Sequence, residues 1–226
     1  MDLGDNVMKI AVIGATGMAG RAIFEEATTR GHEVTAIVRN VEKARAELGA
    51  GATLLVSDIF DLKRATLEQF DVVVNAFANH KEAYLNLDAV THLIHEFRQS
   101  ETRVIFLLGA ASLIQANGTR LFDFLVELPG NEAWIDEPRY GVLELDILRA
   151  TPDVNWTGVS PQQNFTPGPA SEHRIALNDL LLSADGKSHV TAGNMAVGVL
   201  DEIETPQHIR ERFTVSDMEL NQNHQV

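Results

Sequence analysis

Two kinds of apolar pattern alternate along the first half of the chain. Short, nearly unbroken apolar runs at residues 9–13, 33–38, 52–59, 71–77 and 103–112 predict five strands, and the last is continuous enough to be covered on both faces. Between them the spacing changes to that of helices. Residues 18–30 set Ala19, Ala22, Ile23 and Ala27 on one side, and 85–100 place Leu87, Val90, Ile94 and Phe97 three and four apart. Shorter helices are expected at 42–48 and 61–69. After Ser112 the regularity fades. Residues 113–138 mix apolar positions with Gly118, Pro129, Gly130 and Pro138, which predicts a long irregular connection with a short helix over 120–126. A helix at 140–149, strands at 156–160 and 188–191, a helix at 195–204 and a strand at 211–216 complete the pattern. Residues 1–7 and 217–226 are polar and are expected to be loose.

Strands alternating with helices of about 10–15 residues call for βαβ units. The expected fold is α/β: one domain over 1–226 with a mostly parallel sheet, helices on both faces, and a small C-terminal lobe from 113–138 and 161–190. The pocket should open between that lobe and the strand ends. Composition narrows the picture. With 45% hydrophobic and 22% charged residues, the 226-residue chain is neither disordered nor a charge-rich solenoid. A net charge of −14 without a basic stripe argues against nucleic-acid partners, although a dinucleotide pocket needs only a few local donors. The absence of cysteine removes disulfides, thiolate nucleophiles and cysteine–metal clusters. No apolar run approaches the roughly 18 residues of a membrane span, so a soluble, cytoplasmic protein with no membrane partner is expected, as monomer or homodimer.

The sharpest chemical signal is Gly14-Ala15-Thr16-Gly17-Met18-Ala19-Gly20, placed after a predicted strand and opening a predicted helix. In such a loop Gly14 permits the tight turn, Gly17 lets the backbone approach a pyrophosphate at the helix N-terminus, and Gly20 allows close packing. The spacing is G-x-x-G-x-x-G rather than G-x-G-x-x-G. The second strand ends in Val38-Arg39-Asn40, with no carboxylate to bond a ribose 2′-hydroxyl, and Lys43 follows a turn later. Arg39 suits the 2′-phosphate of NADP, or it stacks on adenine while NAD binds.

Other candidates lie at the carboxyl ends of the strands, where ligands of such sheets bind. Asp58 would accept from an adenine amine or cap the next helix. Asn75, Ala76, Phe77 and Ala78 end the fourth strand. Gly109, Ala110 and Ser112 end the fifth, with Ser112 either a polar contact to the nicotinamide end or substrate, or a turn cap. His80 is a pocket-lining or a surface histidine. His92 and His95 lack the carboxylate or cysteine partners of a zinc site, so no metal is expected. The hydrolase elbow G-x-S-x-G is absent.

KIAVIGATGMAG, AIVRN, SDIFD, DVVVNAFA, VIFLLGAASL and WTGVSPQQNFTPG, spread over nearly the whole chain, resemble the atypical short-chain dehydrogenase/reductase superfamily. More narrowly, they are similar to the NAD(P)H-binding proteins related to biliverdin reductase B and to NADH-flavin reductase-like proteins. The resemblance implies a Rossmann-like doubly wound fold. It gives Gly14, Thr16, Gly17, Met18 and Ala19 to the pyrophosphate, Arg39 to the 2′-phosphate, Asp58 to adenine and Pro161 to the border of the nicotinamide pocket. Tyr140 falls at the family's catalytic tyrosine, but Glu144 stands where a lysine four residues later would lower its pKa. A hydride acceptor that is a conjugated planar ring, such as a flavin, tolerates that loss best. Phe77, Phe122, Trp134 and Phe165 are ring-stacking candidates. The implied function is an NADP-dependent reductase (NAD possible); the alternative is a non-catalytic NADP(H)-sensing regulatory protein.

Overall fold

A computed structural model describes residues 7–183 and 185–218, so the expectations for residues 1–6 and 219–226 lie outside the described residues. The first half runs β1 (Lys9–Ile13), α1 (Met18–Thr29), β2 (Glu33–Val38), α2 (Val41–Leu48), β3 (Thr53–Val56), α3 (Arg64–Leu67), β4 (Val72–Asn75), α4 (Tyr84–Phe97) and β5 (Arg103–Leu107). The second half runs α5 (Leu121–Leu125), α6 (Asp136–Arg149), β6 (Trp156–Ser160), β7 (Asn164–Thr166), β8 (His173–Ala176), β9 (His189–Thr191), α7 (Ala192–Glu204) and β10 (Arg212–Asp217). Eight strands form one sheet in the order β3-β2-β1-β4-β5-β6-β10-β8. It is parallel throughout except for β8, which pairs antiparallel with β10. β7 and β9 make a separate parallel pair.

The period-two geometry of strands divides the core. Ile10 and Val12 point to the face covered by Ile23, Phe24 and Ala27 of α1 and by Met195, Val199 and Ile203 of α7. Ala11 and Ile13 point to the opposite face, against Leu93, Ile94 and Phe97 of α4 and Leu145 and Leu148 of α6. Both faces are sealed, which is why these strands read as continuous apolar runs rather than alternating ones. The strand order reverses between β1 and β4, and their carboxyl ends splay a crevice at that switch point. Among the described residues no helix is long and apolar enough to cross a membrane.

Several expectations need correction. The third strand stops at Val56, because the Asp58 carboxylate accepts from the Phe60 N–H at 3.1 Å and starts a 3-10 turn over Ile59–Asp61. The helix expected over 61–69 shrinks to α3. α6 begins at Asp136 rather than 140, since Pro138 sits in the first turn, where no intrahelical N–H bond is lost; Asp136 and Glu137 there favour the helix's positive end. β7 and β8 were not expected at all: at three and four residues, they carry no periodicity of their own. Asp217 is not a loose tail residue. It ends β10 fully buried, with Oδ1 accepting from the Thr191 N–H (3.0 Å) and from Asn194 Nδ2 (2.6 Å).

Candidate functional site

The loop between β1 and α1 is built around one close approach. Gly14 has φ +75°, and a Cβ there would lie 2.5 Å from the carbonyl oxygen of Ala76. The loop therefore rests directly on the end of β4, whose Ala76 N–H donates to the Ile13 carbonyl (3.0 Å). Gly20 serves a related purpose one turn into α1: its Cβ would meet the Gly14 carbonyl oxygen at 2.3 Å, so the helix packs on the loop itself rather than only on the sheet. Gly17, the N-cap, has extended backbone geometry, and neither a capping side chain nor an acidic residue occupies the first turn of α1. The amide groups that begin the helix are thus left for an anionic ligand.

A cavity of about 580 Å³ opens over this loop and runs along the carboxyl ends of the strands. Thr16, Gly17, Met18 and Ala19 form its centre. Arg39, Lys43, Ser57 and Ile59 close the end over β2 and β3; Gly109, Gly141, Glu144, Pro161 and Phe165 close the end over β5 and β6. The wall between is Ala76, Phe77 and Ala78, held by a bond from the Phe77 N–H to Asn75 Oδ1 (3.2 Å). Charge is asymmetric. Arg39 is exposed and lies 3.6 Å from Asp58, and Asn40 is occupied as the cap of α2, accepting from the Lys43 N–H at 2.9 Å. No carboxylate follows Val38 directly. The opposite end is acidic, with Glu137 hydrogen-bonded to His80 (2.7 Å) and Glu144 on the next two turns of α6.

The family profile described as NAD(P)H-binding matches residues 14–206, from the first glycine of the loop to beyond α7. The chain belongs to the NAD(P)H-binding family. Within the atypical short-chain dehydrogenase/reductase superfamily, this NAD(P)H-binding protein is related to the biliverdin reductase B and NADH-flavin reductase-like proteins, and NAD(P)H is its cofactor. Over 214 residues it is 36% identical to YwnB of Bacillus subtilis, which covers 92% of this chain and 98% of that one. A protein of known structure from Lactobacillus casei is 41% identical, with a TM-score of 0.88 over 94% of this chain and 100% of its own. A candidate NADH-flavin reductase of Streptococcus pneumoniae is 33% identical, with a TM-score of 0.81 over 93% and 99% of the two chains.

In this NAD(P)H-binding protein most of the expected site residues meet at one cavity. Gly14, Thr16, Gly17, Met18, Ala19, Arg39, Ala76, Phe77, Gly109 and Pro161 line it, as does His80. Asp58 lies beside it, its carboxylate engaged by the Phe60 N–H and facing Arg39. Ala110, Ser112 and Tyr140 do not line it. Ser112 is buried, with its hydroxyl accepting from Arg212 Nη1 at 3.1 Å. Arg212 also donates to Ser160 Oγ (2.9 Å), and Ser160 donates to the Gly109 carbonyl (2.9 Å). The arginine thus ties together the segments after β5 and at the end of β6 that frame the acidic end. Burial pushes its guanidinium down to about 10, helped by the positive charges of Arg149 and Arg120 and opposed by Asp179. Tyr140 is half-buried and close enough to Tyr84 of α4 to influence it. Phe165 lines the cavity, whereas Phe122 and Trp134 do not; Phe77 meets Phe60 edge-on at 6.3 Å.

Glu144 is the group that sequence reasoning undervalued. Its side chain is 6% exposed and opens onto the cavity. Burial, and then the negative charge of Glu137, push its carboxyl up to about 8. The signal was present in the helix: Gly141, Glu144, Leu145 and Leu148 lie at spacings of three and four on one buried stripe. Among the described residues no cluster of three or more His, Cys, Asp or Glu is arranged to hold a metal ion.

Proposed function

We propose that the protein is an NADPH-dependent reductase that delivers a hydride to a flavin or another conjugated planar acceptor. The observation that carries this reading is the make-up of the cavity's β5–β6 end. Gly109, Pro161, Phe165 and Glu144 frame it, and neither a tyrosine nor a lysine stands among its lining residues. An acceptor reduced there must need orientation more than a positioned phenol. Bound NADPH supplies the hydride. The first turn of α1 holds the pyrophosphate, Arg39 and Lys43 take the 2′-phosphate, Phe77 and Phe165 flank the rings, and the reduced acceptor draws its proton from water at the open mouth. Segments 113–138 and 161–190 supply the lobe against which the acceptor packs, Glu137, Pro161 and Phe165 being their contributions to the lining. The 33% identity to a candidate NADH-flavin reductase supports the same acceptor class. The absence of cysteine fits work in the reducing cytoplasm.

Two measurements test this. Titration with NADP+ and NAD+ should show NADP+ preferred, and Arg39→Ala should weaken NADP+ by about tenfold, or 1.4 kcal/mol, with NAD+ nearly unchanged. Because Arg39 is exposed, screening keeps the effect from being larger. Equal losses for both nucleotides would assign Arg39 to adenine stacking instead. Purified protein should oxidise NADPH with riboflavin, FMN or a quinone. Binding without turnover across such a panel would sink the reductase and leave the sensing role.

A further inference from the structure

We propose that Glu144 makes the site distinguish oxidised from reduced nucleotide by a proton: its carboxyl is released as a carboxylate when the positively charged ring of NADP+ is bound, and stays protonated beside the neutral ring of NADPH. The inference rests on the reading that the nicotinamide lies over the β5–β6 end. That placement follows from the geometry. With the pyrophosphate at α1 and the 2′-phosphate at Arg39 and Lys43, the rest of an extended dinucleotide crosses the switch point toward Gly109, Pro161 and Glu144.

Glu144 is placed for this and for little else. It is more than nine-tenths buried, opens onto the cavity, and has no hydrogen-bond or ion-pair partner among the described residues. A buried, unpaired carboxylate is costly, so the free site keeps the group neutral near pH 7. Its surroundings reinforce this. Glu137 on the same helix repels a second negative charge, and Glu137 is itself held by His80 from the loop after β4. From α4, the cavity-facing polar side chain is the uncharged Asn86. Of that helix's ionisable groups, His92 and Glu96 are turned to the Leu62 carbonyl and the Arg64 N–H, Tyr84 donates to Glu82, and Asp88 and His95 are exposed away from the lining. From α5, Asp123 is engaged by the Arg120 N–H. The strand ends contribute Gly109 and Pro161, which carry no charge. Among the described residues no lysine or arginine pairs with Glu144, so a cationic ring arriving beside it is the missing counter-charge. The step balances: Glu144–COOH and NADP+ give Glu144–COO⁻ beside bound NADP+, and one proton passes to solvent.

The sign follows from linkage. Between the lowered value of the carboxyl beside the bound cation and its free value of about 8, binding of NADP+ expels a proton, so its affinity rises with pH across that window and levels off above it; NADPH has no such requirement. Each unit by which the bound cation lowers the carboxyl's pKa is a tenfold change. The readout is the ratio of NADPH to NADP+ dissociation constants between pH 6.5 and 8.5. In that ratio pH effects common to both ligands, such as the titration of the 2′-phosphate, cancel. For the wild type the ratio should climb about tenfold, and E144Q, which carries an uncharged amide of the same shape, should hold it flat. Calorimetry of NADP+ binding to the wild type in buffers of different ionisation enthalpy should independently count up to one proton released at pH 7, and none for NADPH. A flat wild-type ratio, a slope that survives in E144Q, or no proton release overturns the inference while leaving the nucleotide site standing. If neither nucleotide binds at any pH, the site reading falls and this inference with it.

Discussion

Gly14→Ala should cost about 2–5 kcal/mol of stability and remove most dinucleotide binding. Two penalties combine. The backbone there has φ +75°, where a Cβ costs roughly 1–2 kcal/mol. The new methyl would also stand 2.5 Å from the Ala76 carbonyl oxygen and 2.8 Å from its carbon. Those are backbone atoms at the end of a central strand, so they yield only by shifting that strand, typically at a further 1–3 kcal/mol. Ala76 itself lines the cavity, and any relief therefore separates the phosphate loop from the wall that faces it. Gly17→Ala is the informative comparison. Its φ is −84° and its Cβ would meet only the Gly14 carbonyl oxygen, at 3.3 Å; stability should change by no more than about 1 kcal/mol. Affinity for NADP+ should nonetheless fall, since the methyl would enter the space where a pyrophosphate approaches the amides of α1. Urea midpoints paired with nucleotide titrations separate the two glycines. Wild-type NADP+ affinity in Gly14→Ala would mean that this loop does not cradle the phosphates.

That contrast shows how much of the site was legible. The glycine loop, Arg39, Ala76, Phe77 and Gly109 follow from local pattern, because each lies just past a strand whose apolar run is unmistakable. β6 was read to the residue for the same reason. What escaped depends on contacts far apart in sequence. Local pattern leaves Ser112 either a polar contact to ligand or a turn cap, but Arg212, one hundred residues later, captures its hydroxyl, and nothing local to either residue announces that pairing. β7 and β8 exist because β9 and β10 offer edges to pair with. Asp217 looked like the start of a polar tail and instead holds Thr191 and Asn194 at the entry to α7. Tyr140 and Glu144 are the sharpest lesson. Four apart on one helix, they were weighed as a defective proton-transfer pair, yet the rotation of α6 puts only Glu144 on the cavity. Residue spacing located the helix; its packing against α4 decided which side chain faces the ligand.

Glu202→Ala should be among the most destabilising single substitutions outside the cavity, at about 3–5 kcal/mol. Glu202 on α7 and Arg103 at the start of β5 form a buried ion pair, their side chains 4% and 7% exposed. Arg103 also donates to the Glu202 carbonyl (2.8 Å) and to Thr157 Oγ1 (2.7 Å), while the Glu202 carboxylate accepts from the His208 N–H (2.9 Å), from the Gln207 N–H (3.1 Å) and from His208 Nδ1 (2.8 Å). The network fastens α7 to the sheet between β5 and β6. Truncating the acid strands a desolvated guanidinium, which is where the cost arises; the pair's net value against an apolar substitute is much smaller. The double variant Glu202→Met with Arg103→Met should therefore recover most of the loss. Acid supplies a second readout. Burial by itself would raise the Glu202 carboxyl, but the donors from His208, Arg103 and Gln207 together bring it below its ordinary value. Its stabilisation is then fully present above the unfolded value near 4.3 and is lost as pH falls through the lower folded one. Urea unfolding at pH 7 and in the acid range should show wild-type stability declining, with part of that decline missing from Glu202→Gln. A loss under 1 kcal/mol for Glu202→Ala, with an unaltered acid limb, would mean that water reaches the guanidinium and that the pair is not the fastening for α7.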